Sequence, residues 1–134
     1  MRVFIDTNVI LDVLMKRDPY YSDSAAVLML CGSGVTGCIL ACQTTDIFHV
    51  VQRSGLDATS TKAIIKTLIE NLKVVDATAA DVQNALASEM KDFEDAFFAS
   101  AAARSKARYI ITRNEKDFRL SPVPAISPKA FLEI

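Results

Sequence analysis

The sequence predicts a three-layer α/β/α domain around a central, mainly parallel sheet of about five strands. Three observations point there. Short β-rich runs alternate with longer helical stretches along the whole chain, the pattern of strands joined by helical crossovers. The runs Arg2–Ile5 (RVFI) and Tyr109–Thr112 (YIIT) lack the polar alternation of a half-exposed strand, so they read as strands buried on both faces. The length of 134 residues suits a single domain spanning 1–134, with no low-complexity segment or Pro/Gly/Ser linker to divide it.

The elements follow in order. Arg2–Ile5 is the first strand and Val9–Lys16 a short helix. Tyr20–Cys31 is a second helix ending at Gly32, and Val35–Ala41 a second strand. Thr44–Arg53 reads as a helix stopped at Gly55; Thr59–Leu72 is a long amphipathic helix with Ile64, Leu68 and Leu72 on one face. Lys73–Val75 is a very short strand. Thr78 three residues before Asp81 is a capping-box signature for a helix over Ala79–Met90. Glu94–Lys106 is a further helix, rich in Ala and Phe. After the YIIT strand, Val123–Ile126 is a short last strand, and Ser127-Pro128 opens a terminal helix to Ile134.

Composition excludes several classes. A hydrophobic fraction of 51% with 23% charged residues is globular rather than disordered. No apolar run approaches the roughly 18 residues of a membrane helix. Asp6 and Asp12 interrupt what would be the apolar stretch of a signal peptide, and three cysteines (Cys31, Cys38, Cys42) fit reduced thiols, so a cytoplasmic location without membrane contact is expected. The net charge of −1 conceals an uneven distribution. Asp76–Asp95 carries a net −5, and Arg104–Arg119 a net +4. The acids are also skewed, with 11 Asp against 5 Glu. Asp is the poorer helix former, so caps, turns or a site must account for the excess.

Four constellations can carry chemistry. In a parallel sheet, ligands bind beyond the carboxyl ends of the strands, which points at Asp6 and at Thr112–Asp117. Phe4-Ile5-Asp6-Thr7-Asn8 delivers a carboxylate to a strand end, where it can bind a hard cation, act as a nucleophile or cap the next helix. Lys91-Asp92-Phe93-Glu94-Asp95-Ala96 places three acids within four residues at a helix start, more than dipole stabilisation needs, ahead of alanines that let another element approach. Thr112-Arg113-Asn114-Glu115-Lys116-Asp117 supplies polar groups at the end of a buried strand, a pattern that also suits a plain turn. Asp46 opens a helix whose His49, one turn later, is read as structural. Gly32–Gly37 matches G-x-G-x-x-G but follows a helix instead of a strand, so no dinucleotide site is expected. Cys38 and Cys42 lack the second ligand pair of a structural zinc site.

Together, Val3-Phe4-Ile5-Asp6-Thr7-Asn8, Asp92-x-Glu94-Asp95-Ala96 and Ile111-Thr112-Arg113-Asn114-x-x-Asp117-Phe118 resemble a PIN domain, the small α/β nuclease fold of VapC-type toxins and related ribonucleases. The resemblance covers nearly the full length and implies an endoribonuclease dependent on Mg²⁺ or Mn²⁺. It implies catalytic roles for Asp6, Asp46, Asp95 and Asp117, with Asp6, Asp95, Asp117 and Asp92 as candidate metal ligands. Asp46 stands where the family more often has Glu. Thr7, Asn8, Thr112 and Asn114 are candidates to hold the carboxylates, and Arg104, Lys106, Arg108, Arg113, Lys116 and Arg119 to bind RNA phosphates. An antitoxin partner and a homodimer are further implications. Two rival readings are an aspartyl-phosphate phosphatase using Asp6, which lacks the usual second acid because position 8 is Asn, and a non-catalytic RNA- or protein-binding module of the same fold.

Overall fold

The computed structural model describes residues 1–134. Five parallel strands, β1 (Arg2–Ile5), β2 (Thr36–Leu40), β3 (Leu72–Val75), β4 (Tyr109–Ile111) and β5 (Ala125–Ile126), form one sheet in the order β3-β2-β1-β4-β5. Every pairing is parallel, with Phe4 opposite Cys38 on one side and Ile110 on the other. The expected α/β/α architecture is therefore present, and the sheet is wholly rather than mainly parallel.

Alternate strand residues feed opposite layers. Phe4, Cys38, Leu40 and Ile110 face helices α5 (Ala79–Ala87) and α6 (Phe93–Arg104). Val3, Ile5, Ile39 and Ile111 face α1 (Thr7–Leu14), α2 (Tyr21–Cys31) and α3 (Gln43–Arg53), with Phe131 of α7 (Pro128–Leu132) closing that layer. Helix α4 (Ala58–Ile69) packs against it through Ile64, Ile65 and Leu68. Val3, Phe4 and Ile5 of β1 and Ile110 and Ile111 of β4 have no exposed surface, so both faces of these strands are covered there and the residues are all apolar. The alanines of α6 (Ala99, Ala101, Ala102) have no exposed surface, so their small size lets that helix lie close on the sheet.

The departures from expectation lie at element ends. Helix α1 begins at Thr7 rather than Val9, because Asp6 caps it by accepting the Thr7 N–H at 2.8 Å. Helix α5 stops at Ala87 rather than Met90; Ser88 leaves helical backbone geometry, and its Oγ accepts the Met90 N–H. Leu72 belongs to β3, not to the preceding helix. The last strand keeps only Ala125–Ile126. Pro124 has no N–H for the ladder, and its carbonyl accepts the Ile110 N–H while Val123 turns into the core. No helix is long and apolar enough to cross a membrane.

Strand order runs outward from β1 in both directions: β2 and β3 on one side, β4 and β5 on the other. The switch between β1 and β4 opens a crevice at their carboxyl ends, where Asp6 and Thr112 emerge side by side.

Candidate metal centre

Asp6 leaves β1 into this crevice, and its carboxylate is held from three directions. Oδ1 accepts the Thr7 N–H at 2.8 Å. Oδ2 accepts the Thr112 hydroxyl at 2.7 Å and the Asn8 amide at 3.3 Å. A carboxylate offers about four lone-pair sites, so one remains on Oδ1 for an external partner. Burial pushes its pKa up, hydrogen bonds from Thr112 and Thr7 partly offset this, and the charge of Asp117 adds to the rise.

A cleft of about 190 Å³ opens beside Asp6. Its walls come from three distant stretches of chain: Asp6 and Thr7, Gln43 and Asp46 of α3, and Glu94 and Asp95 of α6. Four carboxylates line it and no Lys, Arg or His does. Asp95 bears the consequence most strongly. Its pKa is pushed up to about 7, first by burial and then by the charges of Asp92, Asp6, Asp117 and Glu94. Glu94 is raised by burial and by Asp46, Asp92 and Asp6.

The expected site residues are thus divided among different tasks. Asp6, Asp46 and Asp95 share the cleft. Asp92 stands outside it as the N-cap of α6, its Oδ1 accepting the Asp95 N–H at 2.8 Å. Asp117 lies on an exposed 3₁₀ turn, Glu115–Phe118, anchored by buried Phe118 against Phe98; it is not a cleft wall, yet its charge reaches Asp6 and Asp95. Asn114 precedes that turn. Its N–H donates to Thr112 Oγ1 at 3.0 Å, and its carbonyl accepts the Asp117 N–H.

The six bases expected to line one RNA surface are contiguous in sequence but not in space. Lys106 and Arg108 precede β4, roughly 10 Å of strand from the end that carries Thr112. Arg104 occupies the last turn of α6, roughly 13 Å of helix rise from Asp95. Its guanidinium is paired with buried Asp81 at 2.8 Å. Arg113 is paired with buried Asp12 at 2.7 Å. Of the six, only Lys116 and Arg119 are exposed, without an ion-pair partner, in or next to the turn that carries Asp117.

Gln43 has a role at the site that no sequence motif marks. It is buried at the rim: its Oε1 accepts the Leu40 N–H, and its Nε2 donates to the Ile5 carbonyl at 3.0 Å and the Thr7 hydroxyl at 3.1 Å. It thereby ties the ends of β1 and β2 together beside Asp6. Its place one helical turn before Asp46 was the available signal. Glu94, the middle acid of the Asp92–Asp95 motif, also lines the cleft, a role its sequence position alone does not single out.

The donor set suits a hard divalent cation. Beside one thiol, Cys42, the cleft offers carboxylate oxygens, hydroxyls and an amide, and Mg²⁺ and Mn²⁺ prefer such oxygens over nitrogen or sulfur. No three His, Cys, Asp or Glu side chains meet closely enough, as they stand, to ligate one ion together. Mg²⁺ usually keeps several waters and takes only one or two carboxylates directly, so separated carboxylates remain compatible with it.

The PIN domain family model matches residues 2–116. VapBC2 from Rickettsia felis, bound to a promoter DNA fragment, shares the fold at a TM-score of 0.71 and 18% identity, covering 95% of this chain and 98% of that one. A toxin–antitoxin complex from Klebsiella pneumoniae gives 0.73 and 17%, covering 94% and 97%. VapC20 from Mycobacterium tuberculosis, described as a Sarcin-Ricin loop cleaving toxin, gives 0.62 and 15%, covering 81% and 86%. No curated protein sequence matches. A family match over most of the chain and a five-stranded parallel sheet with acids gathered at its switch point agree: this chain belongs to the PIN domain family, with the fold of VapC-type toxins.

Proposed function

We propose that this protein is a divalent-metal-dependent endoribonuclease that hydrolyses RNA phosphodiester bonds, and that it is the toxin of a toxin–antitoxin pair. The observation that carries the reading is a cleft walled by four carboxylates and no base, its acids drawn from positions 6, 46, 94 and 95. Gathering like charges around one cleft is unfavourable unless a counter-charge offsets it, and at half-buried Asp6 and Asp95 the cost shows as raised pKa values, so a bound cation accounts for the cluster better than a structural role does.

In this reading Asp6 and Asp95 hold Mg²⁺ or Mn²⁺, with Asp117 as a further ligand on the turn and Asp92 supporting Asp95 through the helix cap. When bound, the ion supplies Lewis acidity at the phosphate and lowers the pKa of a coordinated water. Asp46, at the cleft mouth, orients the attacking water and accepts its proton. Thr7, Asn8 and Thr112 hold Asp6 in one orientation, and partners of this kind are worth about 10–100-fold in metal affinity. Lys116 and Arg119, beside Asp117, hold backbone phosphates of the RNA.

The solved relatives in complex with antitoxins support a protein partner. An apolar groove of about 640 Å³ between α1, α2 and α4, lined by Leu14, Leu28, Ile64 and Leu68, offers such a partner a surface. A homodimer and a cytoplasmic setting complete the proposal. The test is Mn²⁺-stimulated cleavage of single-stranded RNA by the wild type and by Asp6→Asn. Cleavage abolished in the variant is the expected result; equal activity in both would sink the mechanism.

A further inference from the structure

Arg113 follows Thr112 directly, and in sequence it belongs to a basic run, yet its charge is turned inward. Its Nε donates to Asp12 Oδ2 at 2.7 Å and its Nη2 to Asp12 Oδ1 at 3.0 Å, a two-pronged pair with a carboxylate that has no exposed surface. Ser24 of α2 donates to the same Oδ2. The guanidinium lies against the ring of Tyr20, its Cζ 4.0 Å from the ring centre. One side chain from the loop after β4 is thus gripped by Asp12 of α1 and by Tyr20, the residue preceding α2, while Ser24 of α2 steadies Asp12.

The grip continues into the acidic cleft through the backbone. The Arg113 N–H donates to Asn8 Oδ1 at 3.4 Å, and Asn8 Nδ2 donates to Asp6 Oδ2 at 3.3 Å and Thr112 Oγ1 at 3.4 Å. Thr112 donates to that same Asp6 oxygen. Asp12 lies on the helix that Asp6 caps, and Arg113 leads into the turn that carries Asp117. The pair therefore joins the two elements whose separation sets the Asp6–Asp117 geometry. A well-packed apolar pair of similar volume would hold α1 at least as stably, because desolvating two charges offsets much of their attraction. What the planar, two-pronged guanidinium adds is a fixed orientation.

We propose that Asp12 and Arg113 are positioning residues that set the register of Asp6, Thr112 and the Asp117 turn, and that Arg113 makes no contact with RNA. This rests on reading the acidic cleft as the nuclease centre. Arg113→Lys keeps the charge and loses the fork, Asp12→Asn keeps the shape and loses the charge, and neither residue lines the cleft.

The experiment measures three quantities for the wild type, both single variants and the double variant. These are Mn²⁺ affinity by calorimetry well below each protein's melting temperature, RNA affinity by fluorescence anisotropy in chelator, and kcat and KM for cleavage. Each single variant is expected to weaken Mn²⁺ binding about tenfold or more and to lower kcat, with RNA affinity and KM within about twofold of wild type. The double variant is expected to be no worse than the singles, because the pair acts as one unit. If Asp12→Asn melts below the assay temperature, Arg113→Lys alone decides. RNA affinity lost with Mn²⁺ affinity intact makes Arg113 a phosphate contact and overturns the proposal. A lowered melting temperature with Mn²⁺ affinity and kcat unchanged makes the pair merely structural and also overturns it. A wild type that binds no Mn²⁺ overturns the nuclease reading and this proposal with it, whereas a wild type that binds and cleaves beside unaffected variants overturns this proposal alone.

Discussion

At Asp95, burial and four neighbouring carboxylates oppose ionisation, and the pKa stands near 7 against an ordinary value of 3.8. The linkage has a definite sign. A carboxyl whose folded pKa is raised contributes stability in its protonated form, fully present below about pH 4 and lost as pH rises through about 7. Asp81 has the opposite sign. Burial would raise it, but hydrogen bonds from Arg104, Ser100 and Thr78 outweigh that and bring it to about 2, so its contribution is present above pH 3.8 and lost as pH falls through 2. In chelator, the wild type's melting temperature should therefore fall between pH 4 and 7.5 by a few degrees more than that of Asp95→Asn. Thermal melts by circular dichroism at each pH check this, and parallel curves would remove Asp95 as the source of strain.

Among the secondary-structure elements, α2 and β2 approach too closely at Gly37 to admit a side chain. A Cβ placed on Gly37 would sit 2.4 Å from Cys31 Sγ and 2.9 Å from a Leu72 methyl. The glycine is there because the last turn of α2 rests directly on the strand. Gly37→Ala is expected to destabilise the fold by about 1–3 kcal/mol, the usual range for overpacking. Cys31→Ala in the same chain should restore part of that loss, since it removes the nearer of the two obstructing groups. Chemical denaturation of the four proteins in this cycle measures the coupling; a Gly37→Ala loss untouched by Cys31→Ala would place the clash elsewhere. A similar dependence on neighbours explains the long α6, whose sequence carries no clear amphipathic stripe. It is buried on several sides by the sheet, α5 and the 3₁₀ turn, so its alanines specify closeness of approach rather than a single face.

For the molecule as a whole, the acidic cleft couples folding to cation binding. A ligand that binds only the native state stabilises it by about 2.7 kcal/mol at 100 times its Kd. Mn²⁺ at pH 7.5 should therefore raise the wild-type melting temperature in a concentration-dependent manner. At pH 5.5 the increase should shrink, because Asp95 must give up its proton to bind. Asp6→Asn should show no increase at either pH. Differential scanning fluorimetry across a Mn²⁺ series is sufficient, and an equal rise in Asp6→Asn would place the bound ion outside this cleft.

The order and type of nearly every element, and three of the four acids of the cleft (Asp6, Asp46 and Asp95), are legible along the chain. Those features are local: strand hydrophobicity, the Thr78–Asp81 capping box, Pro128 at a helix start, and motifs in which the informative residues are neighbours. How those residues divide their tasks follows from packing between distant elements. Asp92 is a cap and Asp95 a cleft wall because Asp92 sits in extended backbone just before the helix, where its carboxylate is taken up by the Asp95 N–H, while Asp95 lies in the first helical turn facing the cleft. The basic run was broken up because a buried strand and its flanking turns point successive charges to different ends of the sheet. Asp12 and Arg113 are separated by 101 positions and met only when α1 and the loop after β4 were brought to the same crevice. Such pairings depend on packing between layers, and no periodicity or spacing along the chain encodes which buried carboxylate a given arginine will find.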